Sequence, residues 1–340
     1  MFYVPDSYLE NLIEEDLHIM DATTAALGIE NLPGSVECTA KRECVAAGIE
    51  EASRVFELAG AKTVAKARDG ERVRDGSPLL EAHGTAGRLH AAYKVAQNIL
   101  EYASGIATRT AAIIKNARSV SSSVEVCVTR KHFPGTKRIS LKAALAGGAR
   151  VHRLGLSDSI LVFGQHREFL GPCGFIPMIS KMKKIFPEKK IAAEADTPEE
   201  ALSFAEAGVD IVQCERFNPK DLKIVARDAK KIANGVTISA AGGINADNAA
   251  VFAATGVDIL VTSCPYFGKP EDMKMKFSLG ADCEQKPPET RRAEARLKPE
   301  ELSIRKDKMT GEVILTAGRG SWGGFFKELE NLADLGLLDE

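Results

Sequence analysis

Between residues 124 and 262, short runs of aliphatic and β-branched residues alternate with helical stretches, and no other feature narrows the fold as much. The strand-like runs are 124–128, 159–163, 190–193, 209–213, 236–240 and 257–262. The helical stretches between them are 139–146, 175–185, 198–207, 219–233 and 246–254. Regular β-α alternation implies a parallel sheet, because consecutive parallel strands need a crossover long enough to hold a helix. Repeats this short and this numerous favour a barrel. Ala207-Gly208-Val209-Asp210-Ile211-Val212 and Thr255-Gly256-Val257-Asp258-Ile259-Leu260 are near copies. In each, the glycine is expected to end a helix and an apolar strand to follow.

Residues 1–116 lack that alternation. A short helix is expected over 7–16, a strand over 35–44, and a helix over 49–58 ending at Gly60. The Asp69-Gly70 and Asp75-Gly76 turns around short apolar runs predict antiparallel hairpins. A long helical stretch covers 88–115, with a break expected near Ser104-Gly105. The fold class is therefore α/β, an α+β open-faced sandwich (1–116) followed by an α/β barrel (117–278). Residues 279–310 are polar and read as a linker or surface segment; 312–316 read as a strand. Trp322 leads into an amphipathic helix with Phe325, Phe326, Leu329, Leu332 and Leu335 on one side. The extension 279–340 is expected to dock on the core.

A formal net charge of -2 with mixed signs argues against a nucleic-acid partner held by a basic field. No apolar run is long enough to span a bilayer, and the acidic N-terminus lacks a signal-peptide core, so a cytoplasmic protein is expected. The seven cysteines show no C-x-x-C spacing. They read as small buried hydrophobes rather than a disulfide framework or zinc site.

The chemistry concentrates after the strands. Thr129-Arg130-Lys131 follows the run 124–128, and His152-Arg153 and His166 stand nearby in the chain. Strand ends are where α/β proteins display functional groups, and such a cationic cluster suits carboxylate or phosphate. Glu194 and Glu215 end two other runs and could ligate a hard cation. Ala241-Gly242-Gly243 follows an apolar run and precedes a helical stretch, a junction whose amides can cradle phosphate with help from the helix dipole. Thr262-Ser263 ends the next run and could form the other wall of such a pocket.

Three segments match a known family in order and spacing. They are Asn98-Ile99-Leu100 with Ser104-Gly105-Ile106-Ala107-Thr108, then Thr129-Arg130-Lys131-x-x-Pro134-Gly135, then His152-Arg153-x-Gly155-Leu156-x-Asp158. Over roughly residues 5–277 the chain resembles the quinolinate phosphoribosyltransferase (nicotinate-nucleotide pyrophosphorylase) family, most of all its ModD branch. The resemblance implies a type II phosphoribosyltransferase barrel in a homodimer, its active site completed by the partner subunit. It implies a reaction between phosphoribosyl pyrophosphate (PRPP) and a small ring acid, with Mg²⁺ as cofactor. Arg130, His152 and Arg153 fall where the family binds the acid. Lys131 falls where a lysine meets the PRPP phosphates, and Glu194 where a carboxylate holds ribose or Mg²⁺. Glu215 stands where the family has Asp. Gly242-Gly243 and Thr262-Ser263 match its phosphate walls.

Two departures bear on the substrate. Lys94 stands where the family has the partner-subunit arginine, and Phe163 replaces a lysine that touches a substrate carboxylate. With one cation fewer, the doubly charged quinolinate would be costlier to desolvate, while Phe163 could stack on a ring. An acceptor other than quinolinate is expected. Two alternatives stand beside it: the carboxylating quinolinate enzyme of NAD synthesis, and a non-catalytic phosphate- or oxyanion-binding accessory protein of a transport system.

Overall fold

The computed structural model describes residues 2–280, 302–306 and 313–317. The chain opens with helices α1 (Asp6–Leu17) and α2 (Ala22–Leu27), the latter capped by Asp21, whose carboxylate accepts from the Thr23 and Thr24 amides. Strands β1 (Pro33–Ala40) and β2 (Cys44–Val45) lead into α3 (Ile49–Leu58). Then come β3 (Lys62–Ala65), β4 (Arg72–Val73), β5 (Pro78–Thr85) and the long α4 (Ala86–Arg118). β1, β5 and β3 form an antiparallel sheet. Val36, Cys38, Ala40, Leu80 and Ala82 are buried in one core with Val55 and Phe56 of α3 and Leu89, Ala96 and Leu100 of α4. Between them Glu37 and His83 face solvent, so the sandwich is open on one side. The strand expected over 35–44 is in fact two: β2 leaves β1 and pairs with β4.

The break expected in α4 does not occur. Ser104 is buried and uses its hydroxyl to accept from the Ala47 amide at 3.1 Å. A Cβ on Gly105 would stand 3.0 Å from the Lys269 carbonyl oxygen. Ser104 and Gly105 thus thin the helix where two loops lie against it, rather than ending it.

The barrel strands follow: β6 (Glu125–Val128), α5 (Lys137–Ala146), β7 (Arg150–Val151), β8 (Ile160–Val162), α6 (Gly164–Arg167), α7 (Ile176–Ile185), β9 (Ile191–Ala195) and α8 (Pro198–Glu206). They continue as β10 (Ile211–Glu215), α9 (Pro219–Ile232), β11 (Thr237–Ala241), α10 (Ala249–Ala253) and β12 (Ile259–Thr262). All seven strands are parallel, in the order β7-β6-β12-β11-β10-β9-β8. The near copies at Gly208 and Gly256 do one job twice. Gly208 (φ +87°) closes α8, with the Val209 amide donating to Phe204 and the Gly208 amide to Ala205. Asp210 and Asp258 then accept the amides of Ile191 and Ile238, at the starts of the neighbouring strands β9 and β11, at 2.7 and 2.8 Å.

After the barrel, β13 (Met273–Leu279) returns to the N-terminal sheet and pairs antiparallel with β1. Further on, β14 (Leu302–Lys306) pairs with β15 (Val313–Ala317), so the expected strand at 312–316 is present and a second lies inside the stretch read as a linker. The expected helix after Trp322 falls outside the described residues.

Lys142 of α5 links the two units. It bonds Glu51 of α3 at 2.6 Å and Glu50 beside it, and its ammonium lies 3.7 Å from Asp69. Burial pushes the Glu51 and Asp69 carboxyls up, only partly offset by Lys142. Lys142→Met leaves Glu51, 4% exposed, without its cation. A loss of about 3–5 kcal/mol in urea denaturation is expected, and Glu51→Gln in the same chain should recover part of it.

Candidate active site

Side chains of neighbouring parallel strands at matched register share a face, which sorts the barrel residues in two. Ala193, Val212, Cys214, Ile238, Ala240 and Leu260 lie in the large core shared with the surrounding helices. The opposite, concave face carries Cys127, Val261 and Ala241, which form a small apolar floor. Beside them on that face stand Ser239, Gln213, Glu215 and Glu194. A parallel barrel strand with polar residues at alternate positions is displaying them to a site.

Glu194 and Glu215 are half-buried on neighbouring strands. Burial raises the Glu194 pKa, and the Glu215 charge raises it further. Gln213 lies between them in the chain's inner face, donating its amide N–H to Glu194 at 2.9 Å. Its Oε1 is buried and without a hydrogen-bond partner among the described residues. Two like charges and an orphaned carbonyl oxygen form a site short of positive charge. Among the described residues no three His, Cys, Asp or Glu side chains converge as a metal centre. A hard divalent cation such as Mg²⁺ takes one or two carboxylates and completes its shell with water and phosphate, so these donors fit it.

The cations stand at the ends of β6 and β7. Arg130 and Lys131 are exposed, and the Lys131 amide donates to Thr129 Oγ1 at 3.2 Å. His152 extends β7, its amide donating to the Val128 carbonyl at 3.0 Å. Burial, then the Arg153 charge, lowers its pKa, so His152 is neutral at pH 7. The cationic cluster expected from the sequence is therefore arginines and lysine, with His152 as a neutral hydrogen-bonding group. Arg153 is only 6% exposed. Burial and the Arg130 charge both depress its pKa. Arg130, Lys131 and Arg153 make no ion pair among the described residues. The Arg153 guanidinium stands 5.5 Å from the centre of the Phe163 ring. Phe163 in turn stacks on His166, which accepts the Phe163 amide at Nδ1.

The Gly242-Gly243 turn has two consecutive left-handed residues, φ +94° and +74°. Neither amide donates to a protein group among the described residues. The helix expected to open there begins only at Ala249 and has five residues, because Asn245 and Asn248 first build a side-chain-capped turn. The helix-dipole part of the expectation therefore falls away, and free backbone amides remain. A Cβ on Gly242 would stand 2.5 Å from Arg216 Cγ and 3.0 Å from Glu215 Oε1. Gly242→Ala should cost about 1–3 kcal/mol, since the added Cβ presses on Arg216 and Glu215, read out by urea denaturation.

Ala241 is buried, its carbonyl accepting the Arg216 amide at 2.8 Å. Thr262 is also buried: its hydroxyl donates to the Ile244 carbonyl at 2.6 Å and accepts the Cys264 amide at 3.0 Å. It fastens the glycine turn to β12, and the half-buried Ser263 is the residue of that pair left facing outward. Lys94 is remote from this cluster. It is exposed on α4 beside Tyr93 and Gln97 and borders a separate cleft with Asp16 and Asp21.

Three further residues shape the site. Gln213 bridges to Glu194. Arg216 holds φ +55° directly after Glu215. The Tyr266 hydroxyl donates to the Thr129 carbonyl at 3.2 Å, tying the loop after β12 to the Arg130-Lys131 loop. Gln213 had a readable signal: with Glu215 it alternates against Val212 and Cys214. Tyr266 had none, since its partner is remote in sequence.

Comparison with known proteins identifies the family of the fold. The family profile "Quinolinate phosphoribosyl transferase, C-terminal domain" matches residues 106–276, and its N-terminal counterpart matches residues 21–104. A protein named as pyrophosphorylase ModD in Pasteurella multocida (strain Pm70) is 36% identical over 276 residues, covering 81% of this chain and 98% of that protein. Another of that name, in Rhodobacter capsulatus, is 40% identical over 250 residues, covering 74% and 96%. The crystal structure of NadC from Streptococcus pyogenes superposes with a TM-score of 0.74 at 26% identity, covering 81% of this chain and 96% of that one. The chain belongs to the quinolinate phosphoribosyltransferase family, in its ModD-like branch, and is a pentosyltransferase.

Proposed function

We propose that the chain transfers the phosphoribosyl group of PRPP to the ring nitrogen of a small aromatic acid less anionic than quinolinate, releasing pyrophosphate. One observation carries the acid: Arg153 is nine-tenths buried and has no carboxylate partner among the described residues. A guanidinium held dry and unpaired is a receptor for an incoming carboxylate. Phe163 beside it offers a ring face rather than a second cation, which suits an acceptor with a single carboxylate.

In this reading Arg130 and Arg153 grip the acid, and neutral His152 hydrogen-bonds it or the ring. Lys131, Ser263 and the Gly242 and Gly243 amides hold the phosphates. The ring nitrogen lone pair forms the bond to C1 of the ribose as the bond from C1 to the pyrophosphate oxygen breaks. Pyrophosphate leaves with that electron pair. Glu194 and Glu215 stabilise the positive charge developing on the ribose and hold its hydroxyls. The same two carboxylates would hold Mg²⁺, which when bound neutralises the departing pyrophosphate.

A second copy of the chain completes the site. Phe133, Phe169 and Phe267 are 77%, 93% and 69% exposed, all in segments that follow barrel strands. An apolar rim of this kind calls for a cover, and Lys94, which borders a separate cleft in its own chain, is assigned to the mouth of the partner. A cytoplasmic setting belongs to the same reading: the described cysteine side chains are free. Turnover of quinolinate tests the acceptor. Poor kcat/KM for quinolinate beside efficient use of a monocarboxylate is expected; efficient quinolinate turnover overturns that part of the proposal.

A further inference from the structure

The layer of helices around the barrel has a gap. β6 and β7 are joined through α5, β8 and β9 through α6 and α7, and each later pair of strands through one helix. β7 and β8 are joined by residues 152–159 without a helix, and these two strands do not pair. A groove of about 700 Å³ opens there, and Ile160, Leu161, Phe175, Met182, Ile185 and Phe186 give it an apolar lining. Ile185 and Phe186 are 57% and 49% exposed, and Leu156 across the groove is 75% exposed. An apolar groove beside an unpaired strand edge is a liability that native chains cover. Among the described residues nothing covers this one.

The chain carries a segment suited to it. Phe325, Phe326, Leu329, Leu332 and Leu335 fall at helical spacing, and Glu328, Glu330, Asp334, Asp339 and Glu340 surround them with only Lys327 of opposite sign. Residues 325–335 as a helix would be about 16 Å long, the length of a ten-residue neighbour such as α7. The groove side is basic: Lys181 and Arg153 line it, and neither makes an ion pair among the described residues. Lys184 follows on α7, also without one. Residues 281–301 alone could bridge up to about 70 Å when extended, so reach is not limiting. The family profile ends at residue 276, and relatives matched over 98% and 96% of their own length leave this extension over. The segment is thus additional to the family body rather than part of its core.

We propose that residues 322–338 fill the gap in the helical layer, with the stripe from Phe325 to Leu335 in the groove and the acidic side against Lys181 and Lys184. The docked segment backs the wall that carries Arg153. This does not depend on the identity of the substrate.

Amide hydrogen exchange of the full chain tests it, beside a chain ending at Arg319. The expected result has two parts. Residues 325–335 exchange at least about tenfold more slowly than an unprotected helix-forming peptide. Residues 160–162 and 176–186 lose protection when the segment is removed. Ile185→Asp with Phe186→Asp, at two exposed positions that the fold tolerates, should release 325–335 in the same way. Trp322 is the single tryptophan of the chain, so its emission should shift to the red in that variant. Unprotected exchange over 325–335, or a groove unchanged by truncation, overturns the proposal. Protection lost on dilution to monomers also overturns it, and assigns the groove to the segment of a second copy.

Discussion

Glu194→Gln is expected to reduce turnover by about 10²–10³-fold while raising stability at neutral pH. Both halves come from the same electrostatics. Burial and the neighbouring Glu215 hold the Glu194 pKa above its ordinary value of 4.5. Its ionised form is therefore disfavoured in the folded chain, and stability declines as pH rises from the unfolded pKa through the raised folded one. Above that window the whole cost is present. Glutamine keeps an oxygen to accept from Gln213 Nε2 and carries no charge, so the cost disappears. In the proposed mechanism the activity depends on the charge, since developing positive charge at the ribose needs a carboxylate facing it. The acid limb of kcat/KM in the wild-type chain should accordingly be displaced upward from the ordinary glutamate value. Thermal melts and pH–rate profiles of both proteins read these effects. A variant that loses stability together with activity would make Glu194 a structural residue.

Arg153→Met should lower kcat/KM for the acceptor by about 10²–10³-fold and leave PRPP affinity within a few-fold. The reason is the isolation of this guanidinium, 6% exposed and without an ion pair among the described residues. Its stem can be replaced by methionine at similar volume, and the unpaired buried charge is removed, so stability should hold or rise. Lysine is not a conservative replacement, because an ammonium cannot form the two parallel bonds of a guanidinium to a carboxylate. Equal losses for acceptor and PRPP would instead assign Arg153 to the scaffold.

Most of the barrel was legible because apolar runs of four to six residues, bounded by glycine or a charge, can be little else between helical stretches. α3 matched its expected bounds because Gly48 and Gly60 punctuate both ends. β7 was not legible as an element: two residues carry no periodicity. The return of β13 to β1 was hidden for another reason. Met273 to Leu279 alternates Met and Lys like a strand, yet nothing local says that its partner is Gly34 to Ala40. Glycine misled twice. At Gly105 the missing side chain admits the backbone near Lys269 within an unbroken helix, and at Gly242-Gly243 it serves a turn rather than a helix start. In the site, residue types at strand ends were readable, but their states were not. Burial and Arg153 hold His152 toward its neutral form, and Thr262 loses its free hydroxyl to the Ile244 carbonyl, which only the fold brings close.

The most direct test of the account is pyrophosphate release from PRPP and Mg²⁺ across a panel of ring acids and bases that includes nicotinate and quinolinate. The account predicts stoichiometric release with at least one aromatic monocarboxylate, dependent on Glu194 and Arg153. No release with any acceptor, together with no binding of PRPP by the full chain, would contradict it.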